Sequence, residues 1–268
     1  MIASLKPARV TSYQINPEPR RLTPPLKIAM LADFHCNTRF MTLAHLSALV
    51  NQTNALFPDL ILLLGDYAGH VAMSGELAPS SVAEQFSKLQ APMGTHAVFG
   101  NHDWYSDSGA KKEGRLTKWH TAFEDAGIKT YSNTGGLFET AAPIALAGLE
   151  SQRALHKGRE SKVDGLDDWP GLSEALNPDV FTILMAHEPD IFPDLPDWVD
   201  LTLSGHTHGG QIAPFGKALF VPSRYGTRYA YGHFKEGSKQ LIVSGGLGYS
   251  KLPIRIGRPP EIVMVSLA

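Results

Sequence analysis

The apolar positions of this chain fall into short runs that stop abruptly at polar residues. Residues 26–32 form one such run, ending at Asp33, and residues 60–64 a second, ending at Gly65-Asp66. Residues 96–99 lead into Gly100-Asn101-His102-Asp103, residues 181–186 into His187, and residues 199–203 into Gly205-His206-Thr207-His208. Runs of this length bounded by turn residues predict buried strands. Between them, residues 42–57 place Leu43, Leu46, Leu49, Val50 and Leu56 at roughly helical spacing before Pro58-Asp59 breaks the pattern. Residues 81–89 and 118–126 read as two further helices, the second stopped by Gly127. Residues 129–131, 137–139 and 144–149 predict short strands and residues 154–169 a charged loop. The tail, 219–267, alternates β-type runs with Gly and Pro turns. Strand-helix alternation in the first half and hairpin-like strands in the second predict an α/β fold with a mixed sheet in two layers. With no linker visible, residues 26–268 are expected to form one domain behind an N-terminal arm, residues 1–25.

Composition narrows the class of protein without identifying its chemistry. The 268 residues are 43% apolar and 19% charged, ordinary for a soluble globular chain with a sizeable core. A formal net charge of −2 makes the whole molecule no trap for nucleic acid, and none is expected as a partner. The charges are uneven: residues 224–258 hold seven Lys or Arg and one acid, Glu236, whereas residues 150–204 hold twelve acids and four bases. That asymmetry suits local steering of an anion. Cys36 is the single cysteine, so no internal disulfide forms. No apolar run approaches the roughly 18 residues of a membrane span, and residues 1–25 show no hydrophobic signal core. A cytoplasmic protein is expected, at the inner membrane face if it associates with membrane at all.

The chemistry lies where the strands end. Asp33, His35, Asp66, Asn101, His187, His206 and His208 all sit at or just beyond the ends of predicted strands. In open α/β sheets reactive groups gather beyond the carboxyl ends of strands, so these side chains are expected to converge. Mixed nitrogen and oxygen donors suit Mn, Fe or Zn better than an all-oxygen Mg or Ca site. Each residue alone has an ordinary explanation: an Asp after a strand caps a turn, a lone His is usually structural, and a Gly before either forms a turn. The ordered set is what argues for a metal centre.

The motifs Asp33-Phe34-His35, Gly65-Asp66, Gly100-Asn101-His102-Asp103, His187 and Gly205-His206-Thr207-His208 resemble those of the calcineurin-like metallophosphoesterase superfamily. They span residues 33–208 with no element missing. The extension Gly209-Gly210-Gln211, with Ser244-Gly245-Gly246-Leu247-Gly248 and Pro253-Ile254-Arg255, is similar to the bacterial YkuE/YaeI-like phosphodiesterase subgroup. The resemblance implies two mixed β-sheets packed as a sandwich flanked by α-helices. It implies two divalent or trivalent metal ions, one held by Asp33, His35 and His208, the other by Asn101, His187 and His206, with Asp66 bridging. Two such ions about 3.5–4 Å apart share a hydroxide that attacks phosphorus in line with the leaving oxygen. By the same resemblance His102 serves the leaving group; Asp103 is expected to orient its imidazole, the alternative being a turn cap before Trp104.

The expected substrate is a small anionic phosphate compound, nucleotide or lipid-linked, cleaved at a phosphodiester or pyrophosphate bond. Arg224, Arg228, Lys251 and Arg255 are candidate contacts for the anion, and Tyr225, Tyr229 and Tyr249 for a base or acyl chain. His45, His70, His96, His120, His156 and His233 fall outside the motifs and read as non-ligands. The competing readings are a phosphomonoesterase, including a protein phosphatase, and a non-catalytic binding scaffold of the same fold. All seven ligand positions and His102 are present, which favours an enzyme over the scaffold.

Overall fold

The computed structural model describes residues 7–17, 23, 25–139, 142–155 and 165–268. Twelve strands occur among them: β1 (Arg9–Ile15), β2 (Leu26–Leu31), β3 (Leu60–Leu64), β4 (Thr95–Val98), β5 (Lys129–Thr130), β6 (Thr134–Phe138), β7 (Ile144–Leu149), β8 (Phe181–Ala186), β9 (Leu201–Ser204), β10 (Gly232–Glu236), β11 (Lys239–Val243) and β12 (Glu261–Leu267). They form two six-stranded sheets, ordered β1-β12-β2-β3-β4-β5 and β10-β11-β9-β8-β7-β6. Both are mixed. In the first, β2, β3, β4 and β5 run parallel while β12 pairs antiparallel with β2. In the second, β7, β8, β9 and β11 run parallel, with β6 and β10 antiparallel at the edges.

The apolar runs explain the layering. A strand sends successive side chains to opposite faces, so a continuous run is buried on both. In β3, Leu60, Leu62 and Leu64 point into the layer between the sheets, where they meet Ile144, Ile183, Met185 and Leu203. Ile61 and Leu63 point the other way, under α1 (Leu43–Asn54), α2 (Pro79–Phe86) and α5 (Lys118–Asp125). The outer face of the second sheet, including Leu184 and Val243, is covered by α6 (Trp169–Glu174) and by residues around Ile191 and Phe192. Two short helices, α3 (Asn101–Tyr105) and α4 (Ser108–Glu113), lie between α2 and α5 in the chain. The two-layer α/β sandwich is therefore the expected fold.

One expectation needs correction. Part of the N-terminal arm is a strand: β1 pairs in parallel with β12 along the edge of the first sheet. Its side chains are mostly exposed and only Ile15 is fully buried, so its apolar signal is weak. The tail alternates strands with turns as expected, its strands being β10, β11 and β12, while residues 219–221 and 252–256 lie in loops. The rest of the arm (residues 1–6, 18–22 and 24) and His156 in the charged loop lie outside the described residues.

Candidate metal centre

The loops leaving β2, β3, β4, β8 and β9 converge at one edge of the sandwich. Asp33, His35, Asp66, Asn101, His187, His206 and His208 are all buried there. Their ligand atoms fall in three groups, Asp33-His35-His208, Asp66-His187-His206 and, joining the two through His35 and Asp66, His35-Asp66-His102, each with all three atoms within 4.8 Å of one another. Asp66 Oδ2 faces both sides, 3.6 Å from His35 Nε2 and 3.3 Å from His187 Nε2. Asp33 Oδ1 lies 3.8 Å from His208 Nε2 and 4.0 Å from His187 Nε2.

The backbone that aims these side chains is unusual. Asp33, His35, Asp66, His206 and His208 all have φ between 44° and 68°. Left-handed backbone costs a non-glycine residue roughly 1–2 kcal/mol, and it clusters where the surrounding structure holds a functional geometry in place. Each such residue turns the chain sharply at a strand end and throws its side chain across the site. Gly100 leaves the room this requires: a Cβ there would collide with Asp66 Oδ1 and sit 2.7 Å from His187 Nε2.

Four ligand-type atoms, Asp33 Oδ2, Asn101 Oδ1, His187 Nε2 and His206 Nδ1, are buried without a hydrogen-bond partner. Buried polar atoms are rarely left so, and a cation satisfies a convergent set of them at once. The other ring nitrogens are occupied. His187 Nδ1 lies 2.6 Å from the Leu64 carbonyl, His35 Nδ1 3.0 Å from that of Ala68, and His206 Nε2 3.0 Å from that of Pro222. Such carbonyl contacts fix the tautomer that frees the opposite nitrogen for a metal. The donor set thus fits borderline divalent ions. His208 differs: its Nδ1 faces the Arg255 guanidinium at 3.1 Å. A ligating Nε2 places the proton on that Nδ1, so metal binding requires this contact to adjust.

The electrostatics of these groups suit cation binding. Burial pulls His35 down to about 3, with the neighbouring His102 adding to the effect, and burial holds His206 and His208 well below the usual range. These imidazoles are neutral, as ligation requires. Burial also pushes Asp33 up to about 7. For His187 burial acts downward, but the adjacent Asp66 carboxylate outweighs it and holds the group well above its ordinary value. A metal held by Asp33 and His187 would have to displace protons from them, so its affinity would rise with pH through about 7, where Asp33 titrates. Competitive chelator titrations from about pH 6 to about pH 8 should show tighter binding and proton release at each step; flat affinity would contradict this.

His102 lies where the motif suggests, whereas Asp103 makes other contacts. The His102 ring stands edge-on to His35, centroids 4.7 Å apart, at the mouth of the site. Asp103 does not orient it. Its carboxylate accepts backbone N–H groups from Asp66, Tyr67, Ala68 and Gly100 at 2.8–3.0 Å, fixing the loop after β3 to the start of α3. The side chain beside His102 is His70, Nδ1 to Nδ1 3.4 Å, with His70 Nε2 3.5 Å from Glu76. Sequence reading set His70 aside, although its place four residues after Asp66 puts it on the same loop. His45, His96, His120 and His233 are committed to Thr42, Tyr131, Glu150 and Gln240.

Above the ligand atoms lies a cavity of about 670 Å³, walled by Ile212, Leu219, Phe220 and Leu252 on one side and reached by Arg153 and Lys251. The predicted anion contacts Arg224, Arg228 and Arg255 do not line it. Arg224 is paired with Asp194 and Arg228 with Glu236. Arg255 is turned inward onto the carbonyls of Gly245 and Gly248. Of the three tyrosines none lines the cavity either, and Tyr229 is buried against Phe192. Arg153 was missed because it sits in an otherwise acidic stretch of sequence.

Comparison with known proteins agrees with this geometry. The family model described as calcineurin-like phosphoesterase matches residues 26–210. The chain is 32% identical over 250 residues to the metallophosphoesterase YkuE of Bacillus subtilis, covering 90% of this chain and 78% of that one. It is 33% identical over 247 residues to the phosphodiesterase YaeI of Escherichia coli, covering 91% and 82%. A transmembrane protein with metallophosphoesterase domain from Bos taurus matches at 28% over 284 residues; all of this chain aligns, but it spans 59% of that relative. Among the described residues no helix is long and apolar enough to cross a membrane.

Proposed function

The chain belongs to the calcineurin-like phosphoesterase family, and from that premise we propose that it is a two-metal hydrolase of phosphodiester or pyrophosphate bonds. The choice of a diester is carried by the cavity wall: Ile212, Leu219, Phe220 and Leu252 are apolar, while Arg153 and Lys251 are the cationic side chains that reach in. A dianionic monoester favours a dense cationic clamp on its terminal oxygens. A diester carries one charge fewer and a second substituent, for which an apolar wall provides cover. The relative YaeI bears the name phosphodiesterase, which supports the same choice.

Asp33, His35 and His208 would hold one ion, Asn101, His187 and His206 the other, and Asp66 both. Such ions supply Lewis acidity toward phosphate oxygens and lower the pKa of water toward neutrality. The chain's own groups do the rest. Arg153 and Lys251 draw the anion down the cavity. His102, at the mouth, offers an N–H to the departing oxygen, and its contact with His70 limits rotation of the ring. Asp66 Oδ1 accepts the His102 backbone N–H at 2.9 Å, tying the leaving-group residue to the ligand set.

The test compares bis-p-nitrophenyl phosphate with p-nitrophenyl phosphate on metal-loaded protein. The diester should be favoured in kcat/KM by about tenfold or more, a barrier difference of roughly 1.4 kcal/mol. A clear monoester preference would reassign the chain as a phosphomonoesterase.

A further inference from the structure

The cavity mouth opens through an apolar surface with no counterpart elsewhere in the site. Phe215 is fully exposed, Phe220 and Met73 are each 75% exposed and Leu219 is 71% exposed, with Leu252 and Ile254 about half exposed. They lie on three loops that the structure ties together. Ile212 bridges to Ile256 and Val71 to Lys251. Gln211 donates to the carbonyls of Ser250 and Leu252 and accepts the Ser250 N–H. Phe215 and Met73 are further held in left-handed backbone, φ 56° and 63°, at their turns. Exposed apolar side chains on fixed, hydrogen-bonded turns form a built surface, and clusters of this kind mark interaction sites.

Charge identifies what covers it. From Gly205 to Pro260 the sequence has one acid, Glu236, which is bonded to Arg228 and Tyr229. Lys217, between Phe215 and Leu219, and Lys251, beside Leu252, are exposed; neither has an ion-pair partner among the described residues. The acid on the third loop, Glu76, faces His70. Aromatic and aliphatic side chains interleaved with unpaired lysines, without carboxylates, suit the interface of an anionic bilayer. A protein partner seated on the same face would cover the cavity. A bilayer would cover the apolar rim and leave the mouth facing lipid headgroups.

We propose that the surface formed by residues 71–73, 211–220 and 249–256 docks on an anionic lipid bilayer, placing the cavity mouth against the headgroups. Its consequence for the substrate, a phosphodiester carried by a membrane lipid, rests on the hydrolytic activity proposed above.

The full chain is sedimented with vesicles of phosphatidylcholine alone and of phosphatidylcholine with phosphatidylglycerol, at low and high salt. The wild-type chain is expected to sediment with the anionic vesicles and to be released by salt. A Met73→Ser/Phe215→Ser double variant, which touches no residue lining the cavity, should bind them at least about tenfold more weakly while hydrolysing soluble bis-p-nitrophenyl phosphate at the wild-type rate. Lys217→Glu should weaken binding and flatten its salt dependence. Failure of the wild-type chain to sediment with anionic vesicles, or equal sedimentation of the double variant, overturns the proposal. Vesicle binding needs no turnover and the soluble diester needs no membrane, so docking and activity fail separately.

Discussion

Asp66→Asn is expected to lose bound metal and, with it, turnover on a diester by at least about a hundredfold. Asp66 is the carboxylate that faces imidazoles of both ligand groups: its Oδ2 lies toward His35 and His187, and its Oδ1 toward the backbone of His102. Burial alone would raise its pKa, but His187, His102 and His35 outweigh that and hold it well below the carboxylate range. The site is thus arranged around a fixed negative charge. An amide of the same shape removes that charge and turns an N–H₂ toward imidazole nitrogens that should bind cations. Metal content by mass spectrometry, measured beside a circular dichroism spectrum, separates this outcome from misfolding. A folded variant that keeps two ions per chain would remove Asp66 from its bridging position.

Asp103→Ala should instead lower stability. The Asp103 carboxylate is fully buried and satisfies four backbone donors, those of Asp66, Tyr67, Ala68 and Gly100. Each buried donor left unpaired costs about 1–3 kcal/mol, so a loss of roughly 4 kcal/mol or more is expected, a fall in Tm of about 10 °C. Activity should fall too, because Asp66 and Asn101 sit on the loops that Asp103 joins. Asp103→Asn, which keeps one acceptor oxygen, should fall between the two. If Asp103 acted only on the orientation of His102, the alanine variant would keep its Tm within about 2 °C and lose kcat alone.

These two residues show what a sequence yields here. Asp66 was legible because an apolar strand followed by Gly-Asp is a local pattern, and the ligand positions recur in a fixed order. Asp103 was misread because three of its four partners are main-chain groups of a loop more than thirty residues earlier in the chain, which no side-chain motif records. The same limit hid the left-handed backbone at Asp33, His35, Asp66, His206 and His208: those are residue types that ordinarily adopt other conformations, held by tertiary contacts. The arginines were misplaced for a related reason. Local charge density pointed to Arg224 and Arg228, but Asp194 and Glu236 claim them once the chain folds. In the tail the alternation of β-type runs and turns was legible but not which runs pair, because composition alone cannot separate a buried run from one left at a surface. Core strands, by contrast, were placed closely, since a continuous apolar run in a layered fold has few alternatives.

The account stands most directly on one titration. Protein stripped by a chelator is loaded with Mn²⁺ in increments while hydrolysis of bis-p-nitrophenyl phosphate is followed. Hydrolysis should be absent at the start and saturate at about two equivalents per chain. Turnover that survives stripping, or that saturates at about one equivalent, would contradict a two-metal centre built on Asp66.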